Sequence, residues 1–249
     1  MCFDVDSVPP IPAISGAAVS HDALTLQAAD GNRFAAFRAM PEGPAPTGIV
    51  ILPDVRGLYR FYEELALRFA ERGFVAVAFD YFGRTAGVAK RDDDFEYMPH
   101  VQETKPGLVQ EDVGAAVRHV RALDCTSIFT VGFCFGGRHS WLAAASEHGL
   151  KGAIGFYGHP GERNGVIGPI QRAADIDAPI LALQAGDDAN ITPELNAQFA
   201  EALRLAGVEH DVITYDDAPH SFFDRKYEEF ADASADAWRR VLDFVAAHG

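Results

Sequence analysis

Short runs of β-branched and aromatic residues alternate along this chain with longer segments of helical period. The runs predict strands over Arg33–Met40, Gly48–Leu52, Phe74–Phe79, Ile128–Phe133, Gly152–Tyr157, Ile180–Gln184 and Asp211–Tyr215. Between them, apolar residues recurring every three or four positions predict helices over Tyr59–Arg72, Leu108–Leu123, Gly136–Glu147, Pro193–Ala206 and Glu228–Ala247. GIVIL and FVAVAF are nearly continuous hydrophobes, as strands covered on both faces should be. The pattern predicts an α/β fold, a mostly parallel sheet flanked by helices on both faces. Arg33–Met40 alternates more strictly after a turn at Asp30-Gly31 and is expected at an antiparallel edge. Residues 83–107 have no clear period and read as one long connection, of a kind more often functional than accidental.

No repeat, low-complexity tract or Gly/Ser linker interrupts this order, so residues 1–249 are expected to form a single domain, with 1–20 as an extended N-terminal arm. At 249 residues and 48% hydrophobic content, the chain can bury one large core. The formal charge of -15 argues against nucleic acid and anionic membrane surfaces as partners, because both reward clustered Lys and Arg. No apolar run approaches the roughly eighteen residues of a membrane span. MCFDVDSVPPIP carries acids and prolines where a signal peptide has a basic region and an apolar core, so none is predicted. The three cysteines, Cys2, Cys125 and Cys134, lack CxxC or His-Cys spacing. That predicts neither a disulfide framework nor a zinc site and fits a reducing cytoplasm. Cys2 reads as a tail residue and Cys125 as packing.

Cys134 differs from the other two. It lies in VGFCFGGRHS, after a predicted strand and before a predicted helix, with Gly132 and Gly136 at i-2 and i+2. Glycines there allow a sharp turn that holds a nucleophile out of the sheet, and the following helix N-terminus stabilises negative charge. The competing reading is a buried packing cysteine. A hydrolase elbow requires a later acid and then a His, each in a loop after a strand. AGDDANITPE places Asp187 and Asp188 after ILALQ, and DDAPHSFFDR places His220 after DVITY. Singly, the aspartates could cap the helix near Thr192 and His220 could be a solvated loop residue. All three falling in the required order favour a shared site.

GFCFGG, the Gly-x-Asp of AGDD, PHSFFDR and the early GIVILPDVRGL together resemble the dienelactone hydrolase family of α/β-hydrolases over roughly residues 30–247. The resemblance implies the α/β-hydrolase fold, with Cys134 as nucleophile, His220 as base and Asp188 as the acid, since the family's Gly-x-Asp starts here at Gly186. It places the backbone amides of Val55 and Phe135 as the oxyanion hole. Where the family often carries a Glu that contacts the thiol, this chain has Asp54, one methylene shorter. Asp54 either assists the thiol or caps its turn and pairs with Arg56. The family holds its substrate's carboxylate with arginines. Arg225 ranks first for that task, although the HSFFDR spacing differs by one from the family, and Arg84 and Arg91 follow. Tyr157 and His159, like Tyr81 and Phe82, follow strand ends and either line the pocket or pack beneath it.

The implied function is hydrolysis of a small ester or lactone, anionic or neutral, through a Cys-His-Asp triad and a thioester, with no metal or organic cofactor. The expected assembly is a monomer or small homo-oligomer. The alternative is a non-catalytic ligand-binding or redox-sensitive protein that keeps the fold, with Cys134 as a contact or sensor.

Overall fold

A computed structural model describes residues 3–4, 6–17 and 19–249. The chain runs β1 (Val19–Gln27), β2 (Arg33–Pro41), β3 (Thr47–Leu52), α1 (Arg60–Ala70), β4 (Val75–Phe79), α2 (Gly83–Ala86), α3 (Tyr97–Glu103) and α4 (Pro106–Arg121). It continues through β5 (Ser127–Phe133), α5 (Phe135–Ala143), β6 (Gly152–Phe156), β7 (Ile180–Asp187), α6 (Pro193–Ala206), β8 (His210–Pro219) and α7 (Ala231–His248). The eight strands form one sheet in the order β1-β2-β4-β3-β5-β6-β7-β8. β1 and β2 are antiparallel to their neighbours, and the rest are parallel.

The period of two along each strand sorts side chains onto opposite faces. In β3, Ile49 and Ile51 enter one hydrophobic cluster, and Val50 and Leu52 enter the other. The first cluster is closed by Phe61, Leu65 and Phe69 of α1 and by Val241 and Val245 of α7. The second is closed by Val109, Val113, Val117 and Val120 of α4, Trp141 of α5, and Phe199 and Leu203 of α6. The α4 valines recur at helical spacing, and burying each contributes about 1.5–3 kcal/mol before entropic costs. α6 shows its signals openly: Pro193 opens it, the Thr192 hydroxyl accepts from the Leu195 N–H at 3.3 Å, and Gly207 ends it at φ 73°. Among the described residues, no helix is long and apolar enough to cross a membrane.

Three expectations change. The predicted edge strand, β2, lies inside the sheet, because β1 pairs with it from Val19↔Pro41 to Gln27↔Arg33 and takes the edge. Most of β1 is exposed, and only Leu24-Thr25-Leu26-Gln27 alternates, a stretch too short to mark a strand by itself. The connection 83–107 contains two short helices, α2 and α3, neither with a buried residue and hence neither with a strong apolar stripe. α5 stops at Ala143, short of the predicted Glu147. The N-terminal arm runs up to β1 and buries Phe3, Ser7 and Ile11. Cys2 lies outside the described residues.

Candidate active site

The carboxyl ends of the parallel strands bring Cys134, Asp188 and His220 together. Cys134 follows β5 with φ 54° and ψ -112°, a strained conformation for a residue with a side chain, and directly precedes the N-terminus of α5. Its neighbours show why the turn needs glycine. A Cβ on Gly132 would collide with the Gly136 carbonyl, and one on Gly136 would collide with the carbonyls of Leu52 and Pro53. The elbow therefore packs backbone to backbone against the end of β3.

His220 follows β8, and its Nδ1 lies 2.6 Å from Asp188 Oδ2. The ring also hydrogen-bonds with the Cys134 side chain. Burial disfavours a charged imidazole, but the hydrogen bonds to Asp188 and Cys134, with the charges of both, outweigh it and raise His220 to about 9. Burial likewise works against the Asp188 carboxylate, yet the His220 bond and the Asn190 N–H, donating at 2.9 Å, hold it below its ordinary range. Asp187, the other candidate, ends β7 exposed. Tyr157 packs its ring 4.9 Å from His220 and 5.6 Å from Phe222, from a backbone at φ 37°.

The loop after β3 forms the opposite wall. Asp54 is buried, accepts from the Arg56 N–H at 2.8 Å and from the Tyr59 hydroxyl at 3.1 Å, and lies 3.7 Å from Arg56 Nε. Asp54 thus caps its own turn and pairs with Arg56. Burial raises Asp54 to about 6 against the pull of Arg56, and the charge of Cys134 pushes the same way. The Asp54 N–H donates to the Tyr62 hydroxyl, and the Tyr81 hydroxyl donates to the Pro53 carbonyl, each at 2.8 Å. Asp80 accepts from the Leu58 N–H at 3.2 Å and pairs with Arg91 at 2.7 Å. Among the described residues, no turn, loop or cap hydrogen bond takes the amide of Val55 or Phe135.

The arginines expected at a substrate carboxylate are engaged elsewhere. Arg225 donates to the carbonyls of Pro9 and Ile11 at 3.0 and 2.8 Å. Arg84 pairs with Asp30 and with buried Asp112, the latter at 2.8 Å, beside a cleft of about 420 Å³ shared with Tyr81, Lys105 and Leu108. Arg91 is locked to Asp80. Sequence reasoning passed over Tyr59 and Tyr62, whose hydroxyls organise the Asp54 loop. Their signal, aromatic residues at the start of α1, reads equally well as core. Among the described residues, no group of three or more His, Cys, Asp or Glu side chains is placed to share a metal ion.

Comparison with known proteins agrees with this architecture. The model of the dienelactone hydrolase family matches residues 34–249. A carboxymethylenebutenolidase of Rhodococcus opacus is 29% identical, the alignment covering 98% of this chain and 96% of that one. A candidate carboxymethylenebutenolidase of Yersinia pestis is also 29% identical, over 92% of this chain and 89% of its own. A candidate dienelactone hydrolase solved from Klebsiella pneumoniae superposes with a TM-score of 0.81 at 26% identity, over 92% of this chain and 99% of that one.

Proposed function

Given that this chain belongs to the dienelactone hydrolase family, we propose that it cleaves a small ester or lactone through a thioester on Cys134, with His220 moving the proton and Asp188 orienting the imidazole. The family is hydrolytic, and the chain is a hydrolase of carboxylic ester bonds. The observation that carries the proposal is His220 bonded to Asp188 on one side and to Cys134 on the other. With Nδ1 committed to Asp188, Nε2 is left for the thiol. An imidazole raised to about 9 favours the imidazolium paired with a thiolate, the form of cysteine that attacks carbonyls.

In the acylation step, Cys134 Sγ bonds to the carbonyl carbon, and the carbonyl electron pair moves onto oxygen. The amides of Val55 and Phe135 receive that oxyanion, each such donor contributing about 3–4 kcal/mol to the transition state. The tetrahedral centre collapses, the C–O bond to the alcohol portion breaks, and the imidazolium gives its proton to the leaving oxygen. In a lactone that oxygen stays attached to the acyl chain. Water then loses a proton to His220 as it attacks the thioester, and release of the acid restores the thiolate and imidazolium. Asp54, through Arg56 and Tyr59, holds the Val55 turn in place. Arg84 and Arg225 have other partners, so the substrate is proposed to need no carboxylate.

The decisive experiment is to trap the intermediate. Incubation with a p-nitrophenyl ester followed by peptide mass spectrometry should find the acyl group on Cys134. An unmodified Cys134 during turnover, or full activity in Cys134→Ala, would refute the thioester route.

A further inference from the structure

The arm before β1 lies outside the residues matched by the family, yet it is tied to the segment that carries His220. Arg225 donates its N–H to the Val8 carbonyl at 3.0 Å, and its guanidinium spans the carbonyls of Pro9 and Ile11. Asp224 accepts from the Val8 N–H at 3.4 Å, and Lys226 pairs with Asp4 and Asp6. Three successive residues, beginning four positions after His220, thus grip the arm. At its far end, Phe3 is 4% exposed and stacks on Phe61 at 4.0 Å. It meets the Tyr157 ring edge-on at 6.3 Å.

Tyr157 is the link to the chemistry. Its backbone, at φ 37°, is one that a bulky residue adopts only when its surroundings hold it there. Those surroundings are Phe133, Phe156, Phe222, His220 and, from the arm, Phe3. The ring that backs His220 is therefore backed in turn by Phe3. The bonds from the Arg225 guanidinium to the arm carbonyls also explain what Arg225 does in place of gripping a substrate.

We infer that the N-terminal arm is a positioning element of the active site, with Phe3 bracing Tyr157 behind His220 and Arg225 anchoring the His220 loop to the arm. The inference rests on the proposed Cys134–His220–Asp188 chemistry. Its residues touch no substrate and act through the placement of the imidazole.

The test uses the full chain as wild type, Phe3→Ala, Arg225→Ala and Arg225→Lys, with His220→Ala as reference. For each, kcat and KM are measured on one neutral and one carboxylate-bearing ester, and the pH profile of Cys134 alkylation by iodoacetamide is followed by mass spectrometry. Because small displacements of a reacting group cost rate steeply, Phe3→Ala and Arg225→Ala should lower kcat about tenfold, with KM within about twofold on both esters. Their alkylation profiles should shift toward that of His220→Ala. Arg225→Lys, which can keep one carbonyl bond, should recover part of both effects. Wild-type kcat and profile in the two alanine variants would overturn the inference. So would a loss of activity that only tracks the folded fraction by circular dichroism while the profile stays put. A rise in KM confined to the carboxylate ester would overturn it in favour of a substrate clamp. Full activity in His220→Ala would instead remove the premise, a result distinct from the other three.

Discussion

Asp54, after β3, and Asp188, after β7, are carboxylates at the same end of the sheet, and both feel the charges of the Cys134–His220 pair. Asp54 is the more deeply buried of the two, enclosed as a whole residue where Asp188 is half-buried. Their partners widen the difference. Asp188 has an imidazole at 2.6 Å, and its pKa falls. Asp54 has a guanidinium nitrogen at 3.7 Å and feels the charge of Cys134, so burial prevails and the pKa climbs to about 6. One residue type in two settings therefore yields a fixed negative charge beside His220 and a titratable group beside the Val55 loop. Pairs pushed apart in this way are a usual sign of divided labour.

The sharpest way to break the comparison is Asp188→Asn. It should lower kcat about 10³- to 10⁴-fold, because an amide no longer fixes the imidazole tautomer or supports its charge. The pH profile carries the same information. His220 is raised from 6.5 to about 9, so activity that needs the imidazolium should fall as pH rises through about 9. The stability that its partners confer is complete below pH 6.5 and is lost over the same rise to about 9. In Asp188→Asn the alkaline limb should move to lower pH, which a pH–rate series would show.

Asp54→Asn should act oppositely on stability. The folded state holds the Asp54 proton up to about 6 against an ordinary 3.8, so the wild type loses stability as pH rises between those values. An amide has no such cost. At pH 7, urea titration should find the variant more stable by about 1–2 kcal/mol after losses in hydrogen bonding, with kcat reduced about tenfold through a looser Val55 turn. A destabilised variant with wild-type kcat would show that Asp54 serves only the fold. The smallest effect belongs to Asp187→Ala. This exposed neighbour should leave activity within about twofold and stability within about 0.5 kcal/mol, which separates the two aspartates of AGDD experimentally.

The sites read most directly from the chain were those governed by local sterics. Gly132 and Gly136 mark the elbow because a Cβ at either position would collide with backbone. The choice of Asp188 over Asp187 came from the family's Gly-x-Asp pattern and not from local sterics, and it is the Asp188 carboxylate that lies 2.6 Å from His220 Nδ1. Arg225 and Arg84 show the converse. Their neighbourhood in sequence suggested a substrate role, but their partners are the carbonyls of Pro9 and Ile11 and the carboxylates of Asp30 and Asp112. A long flexible cation carries no local signal of which acceptor it will reach.

The same division runs through the whole molecule. The unbroken apolar run from Ile49 to Leu52, the valine spacing of α4 and the glycines around Cys134 determined by themselves the central strands, the covering helices and the elbow, because each follows from backbone geometry over a few residues. The edge strand β1, the raised pKa of Asp54 and the docking of Phe3 against Tyr157 were decided only in the tertiary structure. Each depends on a partner remote in the chain or on the depth of burial, and neither quantity exists until the sheet and its helices have closed around it.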